Sequence, residues 1–388
     1  MSFSGFLTIF VNDMMLDRIL LFPYYLSLKV RNNYYDKGGK RVHTADVPTL
    51  CVGNITAGGT GKTPHVEMIL RMLLDSNEWG SKNLAVLSRG YMRESKGFQQ
   101  VMTDGAATSF GDEPLQIKKK FPGVTVAVDK DRFEGCTLLA HPDKLEARKY
   151  EKRVWNRSLP AADYIILDDA FQYRKLKATK NVVLVDYNHP VMSDSLLPIG
   201  RLRDLKERLG DADVIIVTKC PEEMDTSEKT AFAHEMGVLN FETSTCEGTT
   251  AAGRTQMVFF SKISYCQPRV LFEDADPRFI YSKKIITMTG IAKDKPLRNY
   301  LSDTYKIVRR FNFPDHHKYT WSDINKVQAA LRQNPTAAIA TTEKDAQRLL
   351  DFGGMPKAMS ERMFVVPIEV KFLSENEESL FRNYITTV

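Results

Sequence analysis

The sequence predicts an α/β protein with a parallel β-sheet covered by helices on both faces, followed by a second, smaller α/β region. Three observations predict it. Short apolar runs, many of them β-branched, recur from residue 47 onward. Stretches of helical periodicity separate them, and buried strands joined by helical crossovers form parallel sheets. Polar clusters follow several of the runs directly, and in open α/β sheets ligands bind outside the carboxyl ends of strands.

In chain order, Val47–Gly53 reads as the first strand. Thr63–Asp75 reads as a helix, because Val66, Ile69, Leu70, Leu73 and Leu74 recur at helical spacing. Further strands are expected at 84–88, 124–128, 164–167, 182–186 and 214–218. Their carboxyl ends carry Ser88-Arg89-Gly90, Asp129-Lys130-Asp131-Arg132, Asp168-Asp169 and Thr218-Lys219. The pattern breaks across 241–280, which reads as a hinge with short β-like runs. Strands at 285–289, 337–341 and 363–367, with a helix over 322–333, make up the second region. The expected boundaries are thus a helical segment over 1–41, a first domain over 42–240, the hinge, and a second domain over 281–388.

Between the first strand and first helix stand Thr56, Ala57, Gly58, Gly59, Thr60, Gly61, Lys62 and Thr63. A Gly-rich stretch ending in Gly-Lys-Thr, placed between a strand and a helix, is the context of a phosphate-binding P-loop. Glycines let backbone N–H groups turn inward around phosphate oxygens, and the helix N-terminus adds partial positive charge. Lys62 can reach the outer phosphates of ATP, and the Thr63 hydroxyl can ligate Mg²⁺. Thr56 stands where the generic pattern has Gly. Asp168 and Asp169 end an apolar strand, as the acidic pair of a nucleotide-binding site does, and either could hold Mg²⁺. No N-K-x-D signature of guanine-binding proteins is present, which disfavours GTP.

The net charge of +6 is mild and the charges are interspersed, which favours acidic partners in general without selecting one. No nucleic-acid motif stands out. The five cysteines are odd in number and show no C-x-x-C spacing, which argues against a disulfide framework or zinc site and fits a reducing compartment. At the N-terminus two apolar stretches, 6–11 and 19–26, are separated by Asn12, Asp13, Asp17 and Arg18. No charge-free run reaches the roughly 20 residues that span a bilayer. Tyr24, Tyr25, Tyr34 and Tyr35 alternate with Lys29, Arg31, Lys37, Lys40 and Arg41. That composition suits a membrane–water interface and suits equally a helix packed on the protein's own core.

The stretch from Val52 to Pro64 resembles the P-loop of the tetraacyldisaccharide 4′-kinases, the lipid A 4′-kinases. Leu87-Ser-Arg-Gly-Tyr91, Gly111-Asp-Glu-Pro114, Asp129-Lys-Asp-Arg132, Leu167-Asp-Asp-Ala-Phe-Gln172 and Leu196-Leu-Pro198 continue the resemblance. So do Met288-Thr-Gly-Ile-Ala292, Phe313-Pro-Asp-His-His317 and Thr341-Thr-Glu-Lys-Asp345, in the same order along the chain. The resemblance implies that ATP, with Mg²⁺, phosphorylates the 4′-hydroxyl of a tetraacylated glucosamine disaccharide 1-phosphate. It implies an acylated lipid acceptor, a peripheral position at the cytoplasmic face of the bacterial inner membrane, and an interfacial role for residues 1–41. It points to Asp112 as general base working with His316, with His317 the competing assignment. On the residues alone, a loop cap for Asp112 and a satisfied loop histidine for His316 are the simpler readings, and it is the resemblance that turns them into a base and its partner. With Asp112 in the first domain and His316 in the second, domain closure is expected to assemble the pair. Arg89 and Arg132 are candidate phosphate ligands, since Arg presents paired donors, or surface ion pairs. Three positions depart from the family pattern: Ala170 stands for Gly, Tyr173 for His, and Arg201 for Pro.

Overall fold

The structure is a computed structural model and describes residues 21–291, 293–315 and 317–387. The chain divides into two compact units. The first comprises residues 1–89, 129–262 and 371–388, and the second 90–128 and 263–370.

The first unit carries a sheet whose core is parallel. Its strands run in the order Thr255–Tyr265, Val214–Thr218, Lys180–Asp186, Thr49–Gly53, Tyr164–Asp168 and Leu84–Ser88. Short antiparallel strands at Glu247–Thr249 and Leu239–Glu242 extend the first of these edges. Thr49–Gly53, Leu84–Ser88, Tyr164–Asp168 and Val214–Thr218 are buried at every residue. That is why they read as unbroken apolar runs rather than alternating ones. Val52, Ile69, Val86, Ile166, Val183 and Ile216 are fully buried, each contributing about 1.5–3 kcal/mol on transfer from water. Because the strands are parallel, Gly53, Ser88, Asp168, Asp186 and Thr218 all end toward one edge. Val52 pairs with Asp168 and Asp186 with Thr218.

The helix Lys62–Leu74 covers one face, with Val66, Ile69, Leu70 and Leu73 buried at helical spacing. The final helix, Glu375–Thr386, packs on it. Trp79 Nε1 donates to the Thr386 carbonyl at 2.9 Å, Lys229 pairs with Glu377 at 2.8 Å, and Phe381 meets Phe259 edge-on at 5.4 Å. These contacts give residues 371–388 to the first unit, where the sequence reading had given them to the second domain. The expected hinge also differs: Thr255–Tyr265 is an eleven-residue strand paired in parallel with Val214–Thr218.

Residues 21–36 are helical. Leu21, Leu28 and Asn32 are buried, whereas Phe22, Leu26, Val30 and Tyr34, spaced by four, are exposed. Arg31 and Asn32 anchor the helix on the fully buried Asp204 carboxylate, each at 2.9 Å. The remaining residues of the interfacial segment expected over 1–41 that precede position 21 lie outside the described residues.

The second unit holds a five-stranded sheet in the order Arg269–Val270, Met363–Val366, Ala338–Thr342, Lys284–Thr289 and Lys306–Asn312. All neighbours are parallel except the first pair. Its strands alternate faces: Ile286 and Met288 pack with Ile324 and Val327, and Ile285 packs with Leu297, Leu301 and Phe364. The strand Lys306–Asn312 has no burial run and was invisible to sequence periodicity. The helix Asp112–Lys120 belongs to this unit, packed on Glu343–Leu350 through Asp112–Arg348 and a 2.6 Å Lys120–Glu343 pair. Asp112 is therefore grouped with the residues flanking position 316, not with the P-loop as the sequence reading had it. The expectation that domain closure joins the two loses its premise.

Candidate active site

The P-loop leaves the buried strand Thr49–Gly53 and turns into the helix Lys62–Leu74. Gly58 and Gly61 have φ of 107° and 86°, a region where a side chain is strained, so the loop needs glycine at both. Gly61 caps the helix without a side-chain hydrogen bond, and no acidic residue occupies the first turn. The first amides of a helix have no earlier carbonyl to bond, so this end offers N–H donors and partial positive charge to an anion.

The loop's carbonyls are held by side chains from elsewhere in the unit. Gly59 O accepts from Lys219 Nζ at 2.5 Å, Thr60 O from Thr218 Oγ1 at 3.0 Å, and Gly61 O from His65 Nδ1 at 2.7 Å. Asn54 Nδ2 donates to Thr60 Oγ1 at 2.9 Å. Ala57 N donates to Arg201 O at 2.5 Å, so the position that departs from the family's Pro serves the loop through its backbone. His65 is fully buried. Burial, with the Lys219 ammonium adding to it against the pull of the Gly61 carbonyl, lowers its pKa to about 4. The ring is therefore neutral with its proton on Nδ1, and Nε2 faces Ser261 Oγ at 3.1 Å.

Lys62 Nζ lies 3.6 Å from Asp169 Oδ1 and 3.4 Å from Asn54 Oδ1. Arg203 grips the same carboxylate, Nη2 to Oδ1 at 3.0 Å and Nη1 to Oδ2 at 3.4 Å, and also donates to Asn54 Oδ1. Burial by itself would raise the Asp169 pKa, but Lys62, Arg203 and Arg132 outweigh it and hold the carboxyl below the usual range. Asp169 has φ of 50°, rare for a residue with a side chain and common at functional turns. Asp168 is 3% exposed and accepts from Ser88 Oγ at 3.1 Å. Thr63 is half-buried in the first helical turn.

Arg132 is buried, and its guanidinium donates to the Asp129 carbonyl at 2.5 Å and to the Asp168 carbonyl at 3.4 Å. It shapes the backbone that carries the acidic pair. Arg89 is exposed at the end of its strand. Tyr173, at the family's His position, donates to Asp131 Oδ1 at 2.9 Å, and Asp131 caps the helix Arg132–Ala140. The first unit thus brings together Lys62, Asp168, Asp169 and Arg132, with Thr63 next to Lys62 in the first helical turn. Arg203, Asn54, Asp186 and Lys219 were missed by sequence reasoning. Lys219 and Asp186 carried a signal in their places at the ends of expected strands, and Asn54 lies within the stretch that resembles the P-loop, whereas Arg203 carried none.

In the second unit, Asp112 opens its helix after Gly111. Its Oδ2 accepts from Arg348 Nε at 3.0 Å and from Nη2 as well. Arg348 Nη1 also faces Asp345 Oδ1 at 3.3 Å. Asp345 is fully buried and accepts from Gly290 N at 2.9 Å and Thr342 Oγ1 at 2.7 Å. Burial would lower the Arg348 pKa, but Asp112 and Asp345 raise it above the ordinary value. His316 lies outside the described residues. His317 Nε2 faces Asp323 Oδ2 at 3.0 Å and its ring stacks on Phe313, contacts that fix a loop onto a helix cap.

A family model described as tetraacyldisaccharide-1-P 4′-kinase matches residues 15–386. A tetraacyldisaccharide 4′-kinase of Phocaeicola vulgatus is 34% identical over 94% of this chain and 92% of its own length. One of Parabacteroides distasonis is 36% identical over 92% of this chain and 90% of its own. Among solved structures, Aquifex aeolicus LpxK in complex with ATP aligns at a TM-score of 0.66 and 25% identity, over 96% of this chain and 99% of that one.

Proposed function

The chain belongs to the tetraacyldisaccharide-1-P 4′-kinase family, and from that premise we propose how its residues divide the labour of the reaction. The activity is phosphoryl transfer from ATP to the 4′-hydroxyl of a tetraacyldisaccharide 1-phosphate, a step of lipid A biosynthesis. The observation that carries the assignment of roles is the cluster at the P-loop, where Lys62 and Arg203 both face Asp169 at the start of an uncapped helix.

Phosphoryl transfer is catalysed mainly by positioning and by neutralising charge on the transferred group. Lys62 sits where its ammonium can follow the γ-phosphate, and Arg203 adds a second, geometrically fixed cation. The Thr63 hydroxyl and the Asp168 and Asp169 carboxylates are an all-oxygen set of the kind Mg²⁺ prefers when it keeps waters and substrate phosphates as its other ligands. Bound there, the ion would neutralise phosphate charge. Asp112 is the proposed base for the acceptor hydroxyl, and the paired Arg348 donors orient its carboxylate.

The acceptor carries fatty acyl chains, so the enzyme has to meet it at a bilayer. No helix among the described residues is long and apolar enough to cross a membrane. The exposed row Phe22, Leu26, Val30 and Tyr34, with Lys29, Lys37 and Lys40 beside it, fits a helix lying in the membrane interface, at the cytoplasmic face of the inner membrane. Placing Asp at Leu26 and Val30 should move the protein from the lipid layer to the soluble layer in vesicle flotation. Unchanged flotation would remove this helix from membrane docking.

The reaction is tested by incubating the protein with γ-labelled ATP, Mg²⁺ and tetraacyldisaccharide 1-phosphate. Label should appear on the lipid. Release of inorganic phosphate with an unlabelled lipid would overturn the acceptor assignment while leaving nucleotide binding intact.

A further inference from the structure

A phosphate loop works only if its carbonyl oxygens stay out of the cavity, because a carbonyl pointing inward repels the anion that the amides attract. Here three consecutive carbonyls, Gly59, Thr60 and Gly61, each accept a hydrogen bond from a different side chain, Lys219, Thr218 and His65. Thr218 and His65 are buried, whereas Lys219 retains 31% of its side-chain exposure. Its ammonium is anchored by Asp186 Oδ2 at 2.6 Å, from the end of the neighbouring parallel strand. Lys219 also has φ of 60°, a left-handed conformation that a residue with a side chain adopts only when its surroundings impose it. The bend turns the chain at the end of Val214–Thr218, and the long side chain crosses to the loop from there.

We propose that Lys219 is a positioning residue for nucleotide binding, a strap anchored on Asp186 that holds the Gly59 carbonyl outward and keeps the P-loop in its phosphate-receiving form before ATP arrives. Pre-organisation of this kind lowers the ordering that binding would otherwise require. It therefore acts on affinity for the nucleotide more than on the chemical step. Lys62, by contrast, changes the charge met by the transferred phosphate. The two lysines of the site thus have separable signatures.

The inference rests on the P-loop reading, so wild-type affinity for ATP is measured first. Failure of the wild type to bind ATP would break that reading and this one with it, whereas a wild type that binds ATP leaves the variants to test the strap alone. Lys219→Met keeps the stem and removes the ammonium. It should weaken ATP binding, measured by calorimetry, by about tenfold or more, as losing a charge-assisted hydrogen bond does. KM for ATP should rise in step, with kcat within about threefold of wild type. Lys219→Arg should restore most of the affinity, which a purely structural loss at this position would not do. Asp186→Asn leaves the ammonium and removes its anchor. It should weaken ATP binding by a smaller factor, and it carries the test alone if Lys219→Met does not fold. Unchanged ATP affinity in either folded variant, or a loss confined to kcat, overturns the strap.

Discussion

Asp169 in the first unit and Asp112 in the second are both aspartates gripped by arginine, yet among the described residues cations and carboxylates stand around them in opposite ratios. Around Asp169, the cations Lys62, Arg203 and Arg132 act on two carboxylates, Asp168 and Asp169. Around Asp112, one guanidinium, Arg348, serves two carboxylates, Asp112 and Asp345. The first region carries surplus positive charge at the start of a helix, a balance that an incoming polyphosphate would complete. In the second, among the described residues, one guanidinium bridges two carboxylates and holds the Asp112 carboxylate in a fixed orientation. The residue types are shared, and the ratio of partners fits the division of roles proposed above, phosphate charge at Asp169 and the acceptor's proton at Asp112.

The comparison breaks most decisively at Asp112. Asp112→Asn keeps the size and can still meet Arg348, but cannot take up a proton at neutral pH. We expect kcat to fall roughly 10²–10⁴-fold with little change in ATP affinity. Retained turnover would remove Asp112 from the mechanism, and weakened binding of ATP with Mg²⁺ would move it to the metal. Lys62→Ala tests the other side. Losing a cation that stabilises the transferred phosphate should cost on the order of 10²-fold in kcat. Near-normal turnover in the folded variant would refute the surplus-charge account of the first region.

A smaller effect sharpens the comparison, because it concerns the scaffold of the first region rather than its charge. His65 holds the Gly61 carbonyl as a neutral ring with a pKa near 4, against 6.5 for an ordinary histidine. Below pH 6.5 the unfolded chain takes up a proton that the folded one refuses, so stability falls as the pH drops and levels off near pH 4. The full effect is on the order of 3 kcal/mol. In urea unfolding, the stability advantage of wild type over His65→Gln should shrink steadily between pH 6.5 and 4. A gap that stays constant with pH would mean the ring is not held neutral.

The chain's own order was enough for the features written in neighbouring residues. The strand–loop–helix around Lys62, the apolar runs of the parallel sheet and the acidic pair at 168–169 all follow from local periodicity and turn chemistry, and each stands where it was expected. Lys306–Asn312 escaped because a half-exposed edge strand has no apolar period to read. Other features arose only from pairings between distant residues. Asp112 meets Arg348 across 236 positions, Lys219 reaches Gly59 across 160, and Arg203 bonds Asn54 across 149. The Asp112–Arg348 pair ties residues 90–128 to the second unit, and contacts such as Lys229–Glu377 tie the last helix to the first. Pairings of this kind also bring Arg203, Asp186 and Lys219 to the loop and the acidic pair that the local pattern disclosed. A local motif records which groups can bind phosphate, because backbone geometry is decided within a few residues. Which side chains hold those groups in place depends on strand order and helix packing, and no short stretch of sequence contains that information.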